Sequence, residues 1–343
     1  MADIRLIAFT DKGFALTERI ADGLVSAGDT VSCAKGFGTD KVNHHDWTAA
    51  AFAQADALVF VAATGIAVRS IAPHVVAKDQ DPAVIVLDEG AHFCIPLLSG
   101  HIGGANALAK HICAITGAAF VVTTASDVNG VFAIDTWATE RGLKVLNTPA
   151  IKGVTSRLLA GETVTFDSEI EIAGEPPRGV RAAEKDEQAD FHIGIHPGEH
   201  GLNLIPRIAI VGIGCRKGTE QAQITQAYQT FLKDNNVAPE AVCGIASIDL
   251  KKDEPGLVAF AQEANLPFET FSEAELNALE GSFSSSDFVQ GVTGVSCVCE
   301  RASVAAGSSA TAGGALVIPK TVIDGMTFAL AVKTCPLSWE DDQ

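Results

Sequence analysis

Ile4-Arg5-Leu6-Ile7-Ala8-Phe9 is a short apolar run that stops at Asp11-Lys12-Gly13, and behind it Leu16, Ile20 and Leu24 recur at helical spacing. The switch from a continuous apolar run to a helical stripe predicts a strand, a loop and a helix. The same alternation continues downstream. Ala57 to Ala62 and Val84 to Leu87 read as buried strands, Gly103 to Thr116 as a helix, and Phe120 to Val122 as another strand. Strands that alternate with helices in this way build an α/β domain around a parallel sheet.

Outward from that core the texture changes twice. Residues 1–134 form the N-terminal α/β domain. From 135 to 206 the chain carries Gly174-Glu175-Pro176-Pro177-Arg178-Gly179 and the charged stretch Glu184 to Asp190, so it reads as a smaller middle module with a flexible segment. Ile208 to Val211 restarts the α/β pattern, and a C-terminal α/β domain covers 207–335, followed by an acidic tail at 336–343. Within it, Ser272-Glu273-Ala274-Glu275 has capping-box spacing and should open a helix. Cys297-Val298-Cys299 reads as part of an apolar strand, and Gly307 to Gly314 as a flexible loop.

At 343 residues the chain is long enough for two or three domains of roughly 150 residues each. Apolar residues at 47% and charged residues at 19% exclude a disordered chain. The 24 basic against 42 acidic side chains leave a net charge of −18, which repels phosphate backbones and anionic lipid; neither nucleic acid nor a membrane is an expected partner. An anionic small ligand needs a local pocket of N–H groups or a few cations. The opening Met1-Ala2-Asp3-Ile4-Arg5-Leu6 has no secretory pattern, and the apolar run Ala57 to Val68 is too short to span a bilayer, so a cytoplasmic protein is expected. The eight irregularly spaced cysteines read as reduced thiols.

The densest chemical signal is Leu97-Leu98-Ser99-Gly100-His101-Ile102-Gly103-Gly104-Ala105-Asn106, set between a strand and an amphipathic helix. Glycines at a helix start can bring bare N–H groups up to an anion; they can equally serve close helix-to-sheet packing. His101 among them is suited to move protons near neutral pH. Asp88-Glu89-Gly90 follows a strand and should emerge at its carboxyl end, where α/β sheets place ligands. Thr64-Gly65-Ile66-Ala67-Val68-Arg69 follows the preceding strand likewise. Arg69 there offers a fork for a carboxylate or, alternatively, a surface ion pair. Gly212-Ile213-Gly214-Cys215-Arg216-Lys217-Gly218-Thr219 only loosely resembles a dinucleotide fingerprint, and no ribose-binding acid follows it, which disfavours NAD. His192, His196 and His200 have helical spacing, but the glycines and proline between them break any helix. Neither a nucleophile elbow nor a Walker loop is present.

These segments together resemble the cobalt-precorrin-5A hydrolase family of anaerobic cobalamin biosynthesis. The likeness rests on Thr64 to Pro73, Asp81-Pro82-Ala83-Val84, Asp88-Glu89-Gly90, Leu97 to Asn106 and Thr123-Thr124-Ala125-Ser126-Asp127. It continues with Val211 to Thr219, Gly244 to Lys251, Glu254-Pro255-Gly256-Leu257 and Val298-Cys299-Glu300, in the family's order. Leu159-Ala160-Gly161-Glu162 is the clearest match in the middle module. Ser296-Cys297 departs from the family's proline-serine, which leaves Cys297 without an expected role.

The resemblance implies that water opens the ring-A δ-lactone of cobalt-precorrin-5A and that the C20 carbon leaves as acetaldehyde, giving cobalt-precorrin-5B. Such a step needs a base, oxyanion donors and anchors for peripheral carboxylates. The expected catalytic set is His101 as proton shuttle, Asp88 or Glu89 as its carboxylate partner or base, and Glu300. Thr64, Gly65, Arg69, Ser99, Gly100, Gly103, Gly104, Asn106, Gly212, Gly214 and Arg216 are expected to bind substrate. No separate cofactor and no protein metal site are expected, because cobalt arrives within the corrinoid; His101 as an axial cobalt ligand is the alternative. The partner is the corrinoid itself, with homodimerisation or transient contact with neighbouring pathway enzymes left open. A noncatalytic tetrapyrrole carrier and a nucleotide-dependent enzyme are the competing readings.

Overall fold

A computed structural model describes residues 1–77, 80–101, 103–308 and 314–340. Ile102, part of the 307–314 loop and the last residues of the acidic tail lie outside the described residues. The chain forms two compact units, Met1–Glu140 with Ile151–Glu162, and Arg141–Ala150 with Thr163–Gln343.

In the first unit β1 (Asp3–Ala8), β2 (Thr30–Lys35), β3 (Ala57–Val61), β4 (Ala83–Leu87), β5 (Phe93–Leu98) and β6 (Ala119–Phe120) make one sheet in the order β2-β1-β3-β4-β5-β6. The helices are α1 (Asp11–Ser26), α2 (His44–Gln54), α3 (Thr64–Ile71), α4 (Ala105–Thr116), α5 (Ala125–Asn129), α6 (Ile134–Glu140) and α7 (Ile151–Leu159). Alternate strand residues point to opposite faces, and both faces are filled. Leu6, Val59, Ile85 and Leu87 pack with Leu16, Ile20 and Leu24 of α1 and with Ala109 and Ile112 of α4. Ile7, Leu58, Phe60, Val84 and Val86 pack with Ala51 of α2 and with Ala67 and Ile71 of α3. Double-sided burial explains why these strands read as unbroken apolar runs.

The sheet departs from the expected all-parallel arrangement at one pairing. β4 and β5 run antiparallel, with Val84 opposite Leu98 and Leu87 opposite Cys94, while β5 and β6 are again parallel. Asp88 to His92, which joins β4 to β5, is far shorter than the dozen or more residues a parallel crossover needs. The consequence is topological. The carboxyl ends of β1, β3 and β4 lie at one edge of the sheet, and those of β5 and β6 lie at the other.

The second unit holds two larger sheets. β8 (Val164–Ser168), β10 (Val180–Ala182), β11 (Phe191–Ile193) and β12 (Leu202–Pro206) are parallel in the order β10-β8-β11-β12, and β7 (Leu143–Leu146) closes the edge antiparallel to β12. The short strands β9 (Ile172–Ala173) and β18 (Leu337–Ser338) pair beside them. The other sheet runs β15-β14-β13-β17-β16, built from β13 (Ala209–Gly214), β14 (Val242–Ile248), β15 (Phe268–Phe271), β16 (Ala315–Ile323) and β17 (Met326–Val332). α8 (Gln221–Asp234) and α9 (Pro255–Glu263) cover one face through Ile224, Phe231, Leu257 and Phe260. α10 (Glu273–Ala278) opens with the expected capping box at Ser272 and Glu275, and α11 (Asp287–Thr293) follows.

α12 (Val298–Gly307) packs on the opposite face through Val298, Ala302 and Ala306. Cys297 is its N-cap, so the Cys297-Val298-Cys299 stretch expected as strand begins a helix. A short apolar run has no period of its own to separate a strand from a buried helix, and this helix is buried almost along its whole length. Gly212 is what lets it approach. A Cβ there would stand 1.8 Å from the Cys299 carbonyl oxygen. We expect Gly212→Ala to lower unfolding free energy by about 3 kcal/mol through overpacking, read as a reduced urea midpoint, whereas Gly291→Ala, where a Cβ meets open space, should stay within about 0.5 kcal/mol of wild type.

Candidate active site

His101 stands just beyond the carboxyl end of β5, and the parallel neighbour β6 delivers Thr124 and Asp127 to the same edge. The imidazole lies between two carboxylates: Nδ1 is 3.0 Å from Asp135 Oδ1, and Nε2 is 3.1 Å from Asp127 Oδ2. Asn106, in the first turn of α4, donates from Nδ2 to the same Asp127 oxygen at 3.1 Å, and the Thr124 hydroxyl donates to it as well. Three donors thus converge on Asp127 Oδ2. The His101 side chain is 13% exposed, Asp135 10% and Asp127 30%, so the group is sheltered yet open on the Asp127 side.

This geometry sets the charge. The hydrogen bond to Asp135 raises the His101 pKa from 6.5 to about 9; burial opposes that, and the negative charges of Asp135 and Asp127 add to it. Burial pushes Asp127 up, but the bonds from Thr124 and His101 and the nearby cations outweigh it and hold its carboxyl below the usual range. At neutral pH the site is an imidazolium donating from both nitrogens into two carboxylates.

The loop before α4 spends its own amides. Ala105 N–H donates to Ser99 O at 3.1 Å, Asn106 N–H to Gly100 O at 2.8 Å, and Gly104 N–H to His101 O at 2.9 Å. Ser99 Oγ donates to Asp81 O at 2.9 Å, Gly103 leaves no room for a Cβ against Ser99, and Gly104 takes the left-handed φ of +80° that caps α4. The glycines chiefly shape a turn that presents His101. Of the amides at this helix start, those of Gly104, Ala105 and Asn106 are taken by the loop's own carbonyls.

The acids expected to partner His101 lie elsewhere. Asp88 and Glu89 follow β4, and so lie at the opposite edge of the sheet, separated by the strand's length of roughly 17 Å. Asp88 accepts from the amides of Gly90, His92 and Phe93 and contacts His92 Nδ1. Burial raises its pKa, but these bonds prevail and keep it low. It staples the β4–β5 turn. Glu89 accepts from Thr10 Oγ1 at 2.7 Å beside the start of α1. The partnership of His101 with Asp88 or Glu89 is therefore corrected to Asp127 and Asp135.

Thr64 and Gly65 open α3 at the edge that also holds Glu89. Arg69 is exposed, with its guanidinium folded back beside Gly65, and no carboxylate pairs with it among the described residues. In the second unit Glu300 is buried at 1% exposure in the first turn of α12. It accepts from Ser284 N–H and Oγ at 2.6 and 2.8 Å and from Lys320 N–H at 2.8 Å. Burial raises its pKa and those bonds more than offset it. Both oxygens bind neighbouring segments together. Gly212 serves the close packing of α12, Gly214 lies against Thr327, and Arg216 is exposed on the loop after β13.

His192 and His196 lie on a strand and the loop after it and share Glu169: His192 Nδ1 is 2.9 Å from Asp167 and its Nε2 3.5 Å from Glu169 Oε1, and His196 Nδ1 is 2.8 Å from the same Glu169 oxygen. Among the described residues no three His, Cys, Asp or Glu side chains are arranged to hold a metal ion, and no helix is long and apolar enough to cross a membrane. All eight cysteines are free thiols; Cys297 and Cys299 have sulfurs 3.7 Å apart.

Two family models match the chain: Cobalamin synthesis G N-terminal over residues 46–127 and Cobalamin synthesis G C-terminus over 209–331. The first contains His101, Asn106 and Asp127. These matches and the α/β units define a protein of cobalamin synthesis. The chain is 37% identical over 264 residues to the cobalt-precorrin-5A hydrolase of Salmonella typhimurium, covering 72% of this chain and 75% of the relative. It is 28% identical over 250 residues to that of Priestia megaterium, at 65% of each. It is 27% identical over 283 residues to a probable cobalt-precorrin-5A hydrolase of Methanocaldococcus jannaschii, at 80% and 85%. The chain belongs to the cobalt-precorrin-5A hydrolase family.

Asp127 and Asp135 are the site residues that sequence reasoning missed. Asp127 carried a signal, since Thr123 to Asp127 follows the strand-like Phe120 to Val122 just as the His101 loop follows a strand. Asp135 had none. A histidine whose pKa is raised contributes stability that is complete below the unfolded value near 6.5 and is lost as pH climbs through about 9. We expect the His101 ring protons to titrate near 9 by NMR, Asp135→Asn to bring that midpoint down, and thermal stability to fall across pH 6.5 to 9 in wild type but much less in His101→Gln.

Proposed function

We propose that this chain catalyses hydrolytic opening of the ring-A δ-lactone of cobalt-precorrin-5A with release of the C20 carbon and its methyl group as acetaldehyde, giving cobalt-precorrin-5B. The observation that carries this reading onto named atoms is His101, doubly hydrogen-bonded between Asp127 and Asp135 within the family-matched segment. Kinship supplies the reaction class, and the site supplies the proton inventory.

Lactone hydrolysis needs a proton accepted from water and a proton returned to the departing ring oxygen. Asp127 concentrates its contacts on Oδ2, so Oδ1 is the acceptor for the water proton. The imidazolium of His101 donates to the oxygen that leaves, and its positive charge favours the oxyanion that precedes it. Asp135 holds the ring in orientation from the other nitrogen. The hydroxyl then exposed on C20 loses its proton to the same acid/base pair, its oxygen forms the aldehyde carbonyl, and the bond from C20 to the macrocycle breaks. That bond's electron pair passes to the macrocycle, which takes up a proton.

Cobalt enters as part of the substrate in this reading, and the acidic macrocycle is its partner. Thr64, Gly65 and Arg69 stand at the opposite edge of the sheet and take no part in the step; Asp88 and Glu300 serve as structural carboxylates. The reaction belongs in the cytoplasm, consistent with eight reduced thiols.

Anaerobic incubation with cobalt-precorrin-5A and assay of acetaldehyde tests the proposal. Wild type should release one acetaldehyde per substrate consumed. His101→Ala should lose at least ~100-fold in kcat with corrinoid binding retained and its absorption spectrum unchanged. Binding without release by wild type would favour a tetrapyrrole carrier, and a shifted corrinoid spectrum in His101→Ala would assign His101 to cobalt instead.

A further inference from the structure

A cavity lies in the second unit, at the carboxyl end of β13, bounded by the loop into α8 and the hairpin turn between β16 and β17. Its volume is about 330 Å³, and Arg216, Thr219, Gln223, Gln226, Asp324 and Met326 line it. Carboxyl ends of strands are where α/β sheets take ligands, and the size is at the lower end of small-molecule sites.

Three features give this cavity a defined chemistry. Arg216 lines it without an ion-pair partner among the described residues, in a chain of net charge −18 that has acids to spare. Gln223 uses Oε1 to accept from Glu220 N–H at 3.3 Å in the capping box of α8, which leaves its Nε2 as a donor. The Thr219 hydroxyl is turned inward, donating to Arg216 O at 2.9 Å.

The loop carrying Arg216 is also anchored. Glu254 is buried at 6% exposure, accepts from Gly218 N–H at 2.7 Å through one oxygen, and pairs with Lys251 at 2.9 Å through the other. Gly256 lets the loop lie against α9, since a Cβ there would fall 2.1 Å from Thr219 O. An arginine presented by an anchored loop loses less conformational freedom on binding than one on a mobile arm.

We propose that this cavity is a carboxylate-binding site: Arg216 takes one carboxylate through its guanidinium, Gln223 adds an amide donor, and Asp324 rejects a second negative charge. A guanidinium pairs a carboxylate or a phosphate. Asp324, on the hairpin side of the same cavity, repels the doubly charged phosphate more than the singly charged carboxylate. The occupant this chemistry fits is a small monocarboxylate, one charge on a short apolar stem that can lie against Met326.

The test is run on the full chain. In NMR titrations propionate should give saturable, millimolar shifts of the Thr219, Gln223, Gln226 and Gly325 amides, at least ~10-fold weaker in Arg216→Gln, with inorganic phosphate giving none at equal concentration. No saturable shift, an undiminished response in Arg216→Gln, or phosphate binding as tight as propionate overturns the site. A wild type that binds propionate here but releases no acetaldehyde sinks the hydrolase reading alone, and leaves this site standing.

Discussion

The antiparallel pairing of β4 with β5 is the constraint on which the candidate active site depends. Had the chain crossed over to continue parallel, the His101 loop would have emerged beside Thr10, Thr64 and Glu89. The short turn from Asp88 to His92 forbids that crossover, and Asp88 secures the turn by accepting three backbone amides. With β5 reversed and β6 parallel to it, His101, Asn106, Thr124 and Asp127 reach one edge together. A carboxylate first expected beside His101 instead secures the turn that carries the His101 loop to the opposite edge.

Electrostatics within the site follows from that placement. An imidazolium sheltered from water is costly unless both N–H groups are satisfied, and a carboxylate on each side meets that need while keeping the proton on the ring at neutral pH. Asp127 takes donors from Asn106 and Thr124 in addition, which limits its affinity for a proton and fixes its orientation. A strongly acidic protein thereby keeps one sheltered imidazolium charged, held between two carboxylates. Arg216 sits on a loop braced by Glu254, and no carboxylate pairs with it among the described residues.

Glycine and buried acid recur in this chain as structural devices that resemble catalytic motifs in the sequence. Gly212 looks like a ligand-loop glycine, yet it is required by the backbone of α12 passing overhead. Glu300 looks like a catalytic acid, yet it binds Ser284 and Lys320 into one framework. In both, the decisive neighbour is distant along the chain: Cys299 for Gly212, and Ser284 and Lys320 for Glu300.

Local pattern sufficed for the strands that begin each α/β stretch, because burial on both faces writes an unbroken apolar run, and for the start of α10, because the Ser272 and Glu275 cap is made within one turn. It sufficed also to single out His101, whose glycine-rich setting is contiguous. It did not reach the antiparallel step at β5, the helical state of Cys299, or the acids that flank His101. Strand direction depends on how two edges pair, an apolar run of a few residues is compatible with helix or strand, and Asp135 meets the imidazole from 34 residues away. Residue chemistry was set by the chain locally. Which residues share a site was decided by packing, since proximity across a sheet has no period for a sequence to display.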